Sequence, residues 1–241
     1  MHIMKLILLL IIVWSLCKLL FHYRDMKLLR SVSSPKRGNK SEQRLIIKML
    51  KKHIPPHTIF HDLYLPKKNG EYSQIDVVVV LPQGLVCIEL KDYSGWIFGN
   101  EYQSYWTQIL NYGKEKHRFY NPIKQNIGHI NTLKSQSHQF HDLPIFNVVL
   151  FTKAGELKDV TYDSDHVFVT YTSKLMKIFK RINKMEPANY TNKSEVFRIL
   201  KEAVRNGEDE ELVAQHIATV KEYSKHMPKA RRSIWSWLFR W

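Results

Sequence analysis

The chain has only two cysteines in 241 residues, Cys17 and Cys87. One lies in an apolar N-terminal run and the other in a stretch with the character of a buried strand, so they do not pair. A disulfide framework is excluded and a reducing compartment is favoured. Acidic residues are also scarce, with 22 Asp and Glu against 37 Lys and Arg, a formal net charge of +15. That excess points to a polyanionic partner: nucleic acid, an anionic membrane surface, or both. No collagen-like period, internal repeat or long polar low-complexity tract is present. With 44% hydrophobic residues the chain can build a core, and its length suits one domain or one domain with appendages.

The N-terminal run IMKLILLLIIVWSLCKLLF lacks a small-x-small cleavage site after it, and Leu16 stands where a lipoprotein signal needs a small residue before Cys17. It is read as a transmembrane anchor over residues 1–22, about long enough to span as a helix, with Lys5 and Lys18 placed to snorkel. A cleaved signal peptide is the rival reading. Lys18, Arg24, Lys27, Arg30, Lys36, Arg37 and Lys40 follow the run, while only Lys5 and the terminal amine precede it. The positive-inside rule then predicts a single-pass protein of the cell membrane with its domain in the cytoplasm.

Residues 23–40 are expected to form a basic juxtamembrane linker, 41–172 a mixed α/β domain, 173–228 a helical C-terminal extension and 229–241 a basic aromatic tail. Within the domain, SEQRLIIKMLKKH carries a helical apolar stripe with Ser41 as N-cap, and Pro55–Pro56 end it. TIFHDLYL, QIDVVVVL and LVCIELK are predicted strands forming a meander, and SGWIFG and SYWTQ are shorter strand candidates. NPIKQNIGHINTLKSQSHQF is a predicted helix with Pro122 in its first turn. IFNVVLFT and HVFVTYT are buried-type strands, and SKLMKIFKRI, SEVFRILKEAV and DEELVAQHIATVKEYSKHM are helices. The order helix, three-stranded meander, helix, strand differs from a regular doubly wound fold.

The central hairpin, QIDVVVVLPQGLVCIELK, places charge at the ends of strands that otherwise suit burial. Residues two apart share a strand face, so Glu89 and Lys91 point the same way. A Gln83–Gly84 turn sets Asp76 opposite Lys91 with Glu89 its diagonal neighbour; a shift of two residues sets Asp76 opposite Glu89. Either register gathers Asp76, Glu89 and Lys91 on one face. Two acids there repel unless a cation lies between them, and hard oxygen donors select Mg²⁺ or Mn²⁺. Such an ion contacts a scissile phosphate and lowers the pKa of a bound water, with Lys91 positioning or helping to deprotonate that water. The structural alternative is a plain rim salt bridge to Lys91.

The run QIDVVVVLPQGLVCIELKDYSGWIFG resembles the nuclease-related domain (NERD) family, whose core belongs with the PD-(D/E)xK nucleases. Gly38 and Glu42 precede and open the first helix as in that family, Trp106 lies downstream, and Asn121, Pro122 and Gln125 match its Asn-Pro-x-x-Gln. The likeness covers residues 38 to 152; Ser41 and Ile75 depart from the fuller pattern without removing a catalytic group. It implies a restriction-endonuclease-like core with Asp76, Glu89 and Lys91 as signature residues, Glu42 and Gln125 supporting them, and nucleic acid as substrate, DNA or RNA. A catalytically inactive nucleic-acid-binding or scaffolding module on the same fold is the alternative.

Two weaker signals remain. KEKHR, Lys114 to Arg118, lies among Tyr105, Trp106, Tyr112, Phe119 and Tyr120, a mixture suited to a nucleic-acid groove or to a basic loop over an aromatic cluster. The tail KARRSIWSWLFRW suits a membrane interface or docking onto the domain. The histidines lack the neighbouring ligands of a zinc site.

Overall fold

The structure is a computed structural model that describes residues 2–226. The basic aromatic tail, 229–241, lies outside the described residues. Six helices and nine strands follow in the order α1 (His2–Arg30), α2 (Lys40–Lys51), β1 (Ile59–Pro66), β2 (Tyr72–Leu81), β3 (Gly84–Lys91), β4 (Gly95–Asn100), β5 (Tyr105–Leu110), β6 (Glu115–Tyr120), α3 (Pro122–Lys134), β7 (Ile145–Phe151), β8 (Gly155–Thr161), β9 (Val167–Tyr171), α4 (Leu175–Ile182), α5 (Lys193–Asn206) and α6 (Glu210–His226) among the described residues.

The fold is mixed α/β with two sheets. The first has the order β1-β2-β3-β7-β9. Its β1–β2–β3 part is an antiparallel meander, and β7 and β9 extend it in parallel. The four consecutive valines of β2 are explained by layers on both faces. Val77 and Val79 join Leu45, Ile46 and Met49 of α2 and Phe179 of α4 in one core. Val78 and Val80 join Leu133 of α3 and Leu200 of α5 in the other. A strand covered on both sides needs no polar alternation. The second sheet has the order β6-β5-β4-β8 and closes a third core around Trp106, Phe119, Ile97 and Phe151.

The β2–β3 turn settles the register. Pro82 and Gln83 form the bend, Leu81 pairs with Gly84, and Val77 pairs with Ile88. The turn is one step earlier than the Gln83–Gly84 expectation, so the shifted register is the one present, and continuing it brings Asp76 to Glu89. Pro82 presets its φ for a turn. Gly84 has φ +135°, and a Cβ there would lie 2.2 Å from the Pro144 carbonyl oxygen, so no other residue fits without moving that chain.

Other differences have local causes. Helix α1 runs through Arg30, into the segment expected as linker. Its last two turns are held by Leu29, fully buried in the first core, and by an Asp25–Lys51 ion pair at 2.6 Å. The helix expected over NPIKQNIGHINTLKSQSHQF stops at Lys134. All of KEKHR but Lys114 lies in the edge strand β6, and GELKDVT is a strand, β8, that alternation did not announce because both of its faces are largely polar.

Candidate active site

Pairing lapses around Asp76. The β1–β2 ladder joins His61 to Val77 and Leu63 to Ile75, skipping Asp62 and Asp76. The β2–β3 ladder ends at Val77–Ile88. Asp62, with φ +56°, has the left-handed conformation that breaks the first ladder. In place of a backbone partner, the Leu90 amide donates to Asp76 Oδ2 at 2.8 Å. The other oxygen, Oδ1, accepts no hydrogen bond among the described residues.

Glu89 and Lys91 leave β3 on the same face. Lys91 Nζ donates to Glu89 Oε1 at 2.5 Å and to Gln125 Oε1 at 3.0 Å. Helix α3 thus delivers Gln125 to the carboxylate–lysine pair. One turn later on the same helix face is His129, whose Nε2 is 3.4 Å from Glu89 Oε2 and whose Nδ1 is 2.8 Å from Ser73 Oγ. Sequence reasoning missed His129. The available signal was its i, i+4 spacing from Gln125 on a predicted helix.

The start of α3 is held rigidly. Asn121 caps it by accepting from the Ile123 amide, while its Nδ2 donates to the carbonyls of Asn100, Glu101 and Gln103. Pro122 fills a position whose amide would have no helical partner. Asn126 and Asn147 hydrogen-bond beneath this helix at 2.8 Å and tie it to β7.

Glu42 belongs to the same electrostatic neighbourhood but is itself occupied. It is buried in the first turn of α2, where Asn39 Nδ2 donates to Oε1 and His61 Nε2 lies 2.9 Å from Oε2. Gly38 explains itself here: φ is +61°, and a Cβ would meet both Glu42 Oε2 and His61 Nε2 at 2.3 Å. Ser41 Oγ donates to Asp92 at 2.5 Å, linking α2 to the end of β3.

Burial and crowded negative charge dominate the titration. Burial, then Glu89 and Glu42, push the Asp76 carboxyl well above the carboxylate range. Burial also pushes on Glu89, but Lys91 and His129 outweigh it and bring that carboxyl down to about 2. For Lys91 burial is outweighed by Glu89, and the ammonium is held above its usual range. Glu42 is pushed up to about 8 by burial, Asp62 and Glu89.

This yields a stability prediction. Glu42 rises from 4.5 to about 8 on folding, so its contribution is full below 4.5 and is lost as pH rises through 8. Burial lowers His61 from 6.5 to about 4, so its contribution is present above 6.5 and lost on acidification. The two offset one another below 6.5. Between pH 6.5 and 8 a net loss of about 2 kcal/mol is expected from Glu42. Urea midpoints in metal-free buffer should fall across that window, and Glu42→Gln should remove that part of the fall. A pH-independent difference between the two proteins would contradict the assignment.

The chain is thus a two-sheet α/β core in which Asp76, Glu89, Lys91 and Gln125 lie beside the lapse in pairing. The model of the family described as "Nuclease-related domain", NERD, matches residues 37–152. An uncharacterized protein of Bacillus anthracis is 30% identical over 156 residues, 64% of this chain and 72% of that protein. The chain belongs to the NERD family. No solved structure matches it.

Proposed function

We propose that this protein is a membrane-anchored nuclease that hydrolyses nucleic-acid phosphodiester bonds with Mg²⁺ or Mn²⁺. The observation that carries the reading is the Lys91–Glu89–Gln125 cluster beside Asp76, a carboxyl raised by burial and by the charges of Glu89 and Glu42. Hard oxygen donors crowded by one another suit a hard divalent cation. Among the described residues no three His, Cys, Asp or Glu side chains form a metal-holding group. Mg²⁺ commonly takes only one or two protein carboxylates and completes its shell with waters and phosphate oxygens, so Asp76 and Glu89 suffice as ligands. Bound there, the ion would stabilise charge on the scissile phosphate and acidify a water.

The chain's own groups divide the remaining work. Asp76 offers Oδ1 while the Leu90 amide fixes Oδ2. His129 and Lys91 hold the two oxygens of Glu89. Lys91, kept charged, serves as a positioning donor and a fixed positive charge rather than as the base that takes a proton from water. Gln125 holds the ammonium in place.

The anchor is α1, which is long and apolar enough to cross a membrane and whose apolar window is wholly exposed. Its flanking charges support a cytoplasmic domain. The second reading, an inactive nucleic-acid-binding or scaffolding module, is favoured by one observation: the Glu89–Lys91 pair already satisfies itself at 2.5 Å.

The test is an assay of the purified full chain on single- and double-stranded DNA and on RNA, with Mg²⁺, Mn²⁺ or EDTA. Cleavage is expected with either metal and none with EDTA. Binding without cleavage on every substrate would move the conclusion to the second reading.

A further inference from the structure

We infer that the outer face of the four-stranded sheet is a platform on which single-stranded nucleic acid stacks; the inference rests on the nuclease reading and extends it to how substrate is held. The sheet's two faces differ sharply. Trp106 and Phe119 point into the third core and are buried. Alternation sends their neighbours to the other face. There Tyr105 pairs with Tyr120, Thr107 with Arg118 and Ile109 with Lys116, so aromatic and cationic side chains share one surface.

The face continues across β4, where Phe98 pairs with Thr107 and Trp96 with Ile109. Trp96 and Phe98 are half-buried, Tyr120 is 38% exposed, and Lys116 and Arg118 are exposed. Cations already stand over these rings. Arg118 Cζ lies 5.4 Å from the Tyr105 ring centroid, and Lys158 Nζ lies 5.3 Å from that of Trp96. A groove of about 530 Å³ runs along the sheet, lined by Gln103, Ser104, Tyr105, Thr107, Lys116 and Arg118. The helices make their main contacts with the five-stranded sheet instead.

Two physical features select the occupant. Rings on a sheet surface offer π-faces that any unpaired base can stack on, whereas a duplex keeps its base faces inside. Cations beside them neutralise phosphates, in keeping with a chain of net charge +15. One end of the groove is tied to the N-cap of α3. Gln103 and Ser104 line it, and Asn121 at the start of α3 holds the Gln103 carbonyl at 2.7 Å. The helix so fixed carries Gln125 and His129.

The experiment is fluorescence anisotropy of a labelled oligothymidylate with the full chain in detergent micelles, in EDTA. Two double variants are compared with wild type: Lys116→Gln/Arg118→Gln, which touches no core residue, and Trp96→Ala/Phe98→Ala. Each is expected to weaken single-strand binding about tenfold or more. Loss of the two cations should also lower the salt slope by about 1.4, for two single-strand phosphate contacts. Binding of a blunt duplex should change less. Wild-type affinity and salt slope in a folded charge variant would overturn the platform while leaving the nuclease reading intact. Failure of wild type to bind or cleave any nucleic acid would overturn both. Loss of binding to anionic phosphatidylserine vesicles, with oligonucleotide binding unchanged, would assign the face to lipid and also overturn it.

Discussion

Lys91→Met is expected to reduce cleavage at least a hundredfold while leaving Mn²⁺ binding intact or tighter. Lys91 is not placed as a metal ligand, and an ammonium near the ion opposes its binding. Its removal should therefore help the metal and harm the reaction, because a fixed positive charge and positioning donor disappear. The substitution also has a structural cost. Both partners of the Glu89–Lys91 pair are only 4% exposed, so it is a buried pair and not a rim salt bridge. Stranding one buried charge costs about 3–5 kcal/mol. A bound divalent cation would supply the missing positive charge, so Mn²⁺ should raise the Tm of Lys91→Met by more than it raises that of wild type. Asp76→Ala and Glu89→Ala should instead lose both metal binding and cleavage, since each removes an oxygen ligand. Calorimetric titration, melting curves and a cleavage assay on the three variants separate these outcomes. Wild-type cleavage by a folded Lys91→Met protein would end the assigned role.

Cutting the chain at two points in α1 should give two quite different proteins. Deletion of residues 1–21 removes the fully exposed apolar stretch and should release the domain from membranes into the soluble fraction with its stability nearly unchanged. Deletion of residues 1–30 also removes Leu29, which is 0% exposed, and the Asp25–Lys51 pair. Losing one buried leucine alone costs about 2–5 kcal/mol, so the shorter fragment should be strongly destabilised. The same docking makes the C-terminal end of α1 part of the domain's core. The full chain should stay in the pellet after alkaline carbonate, and the domain should resist protease added outside intact cells. Equal stability of the two fragments, measured by urea denaturation, would show that the last turn of α1 is not part of the core.

Much of the central hairpin was legible because its residue types permit few arrangements. An unbroken valine run bounded by Pro-Gln-Gly reads as two buried strands around a turn, and Glu89-x-Lys91 then shares a face by strand geometry alone. Asn121-Pro122 likewise marks a helix start by its capping chemistry. The second sheet was less legible. SGWIFG and SYWTQ have strand character, but β6 and β8 are mostly polar and lie at its edges. β8 gains its order from a strand far along the chain, Gly155 pairing with Gly95, and β6 gains its own from the hairpin with β5, so neither needs an apolar period of its own.

The sequence by itself determined the apolar N-terminal helix, the excess of positive charge, the α/β class and the shared face of Glu89 and Lys91, because each depends on composition or on spacing within one element. Tertiary structure decided the rest. The one-residue shift of the turn placed Asp76 toward Glu89, and the lapse in pairing turned the Asp76 side chain onto the Leu90 amide. Packing of α3 against the sheet brought His129 to Glu89 across 40 residues of chain, and packing of α2 joined Glu42 to His61. The same packing buried Trp106 and Phe119 while leaving Lys116, Arg118 and Tyr120 exposed. These are relations between elements, set by which faces meet when the apolar surfaces close, and no stretch of sequence carries them alone.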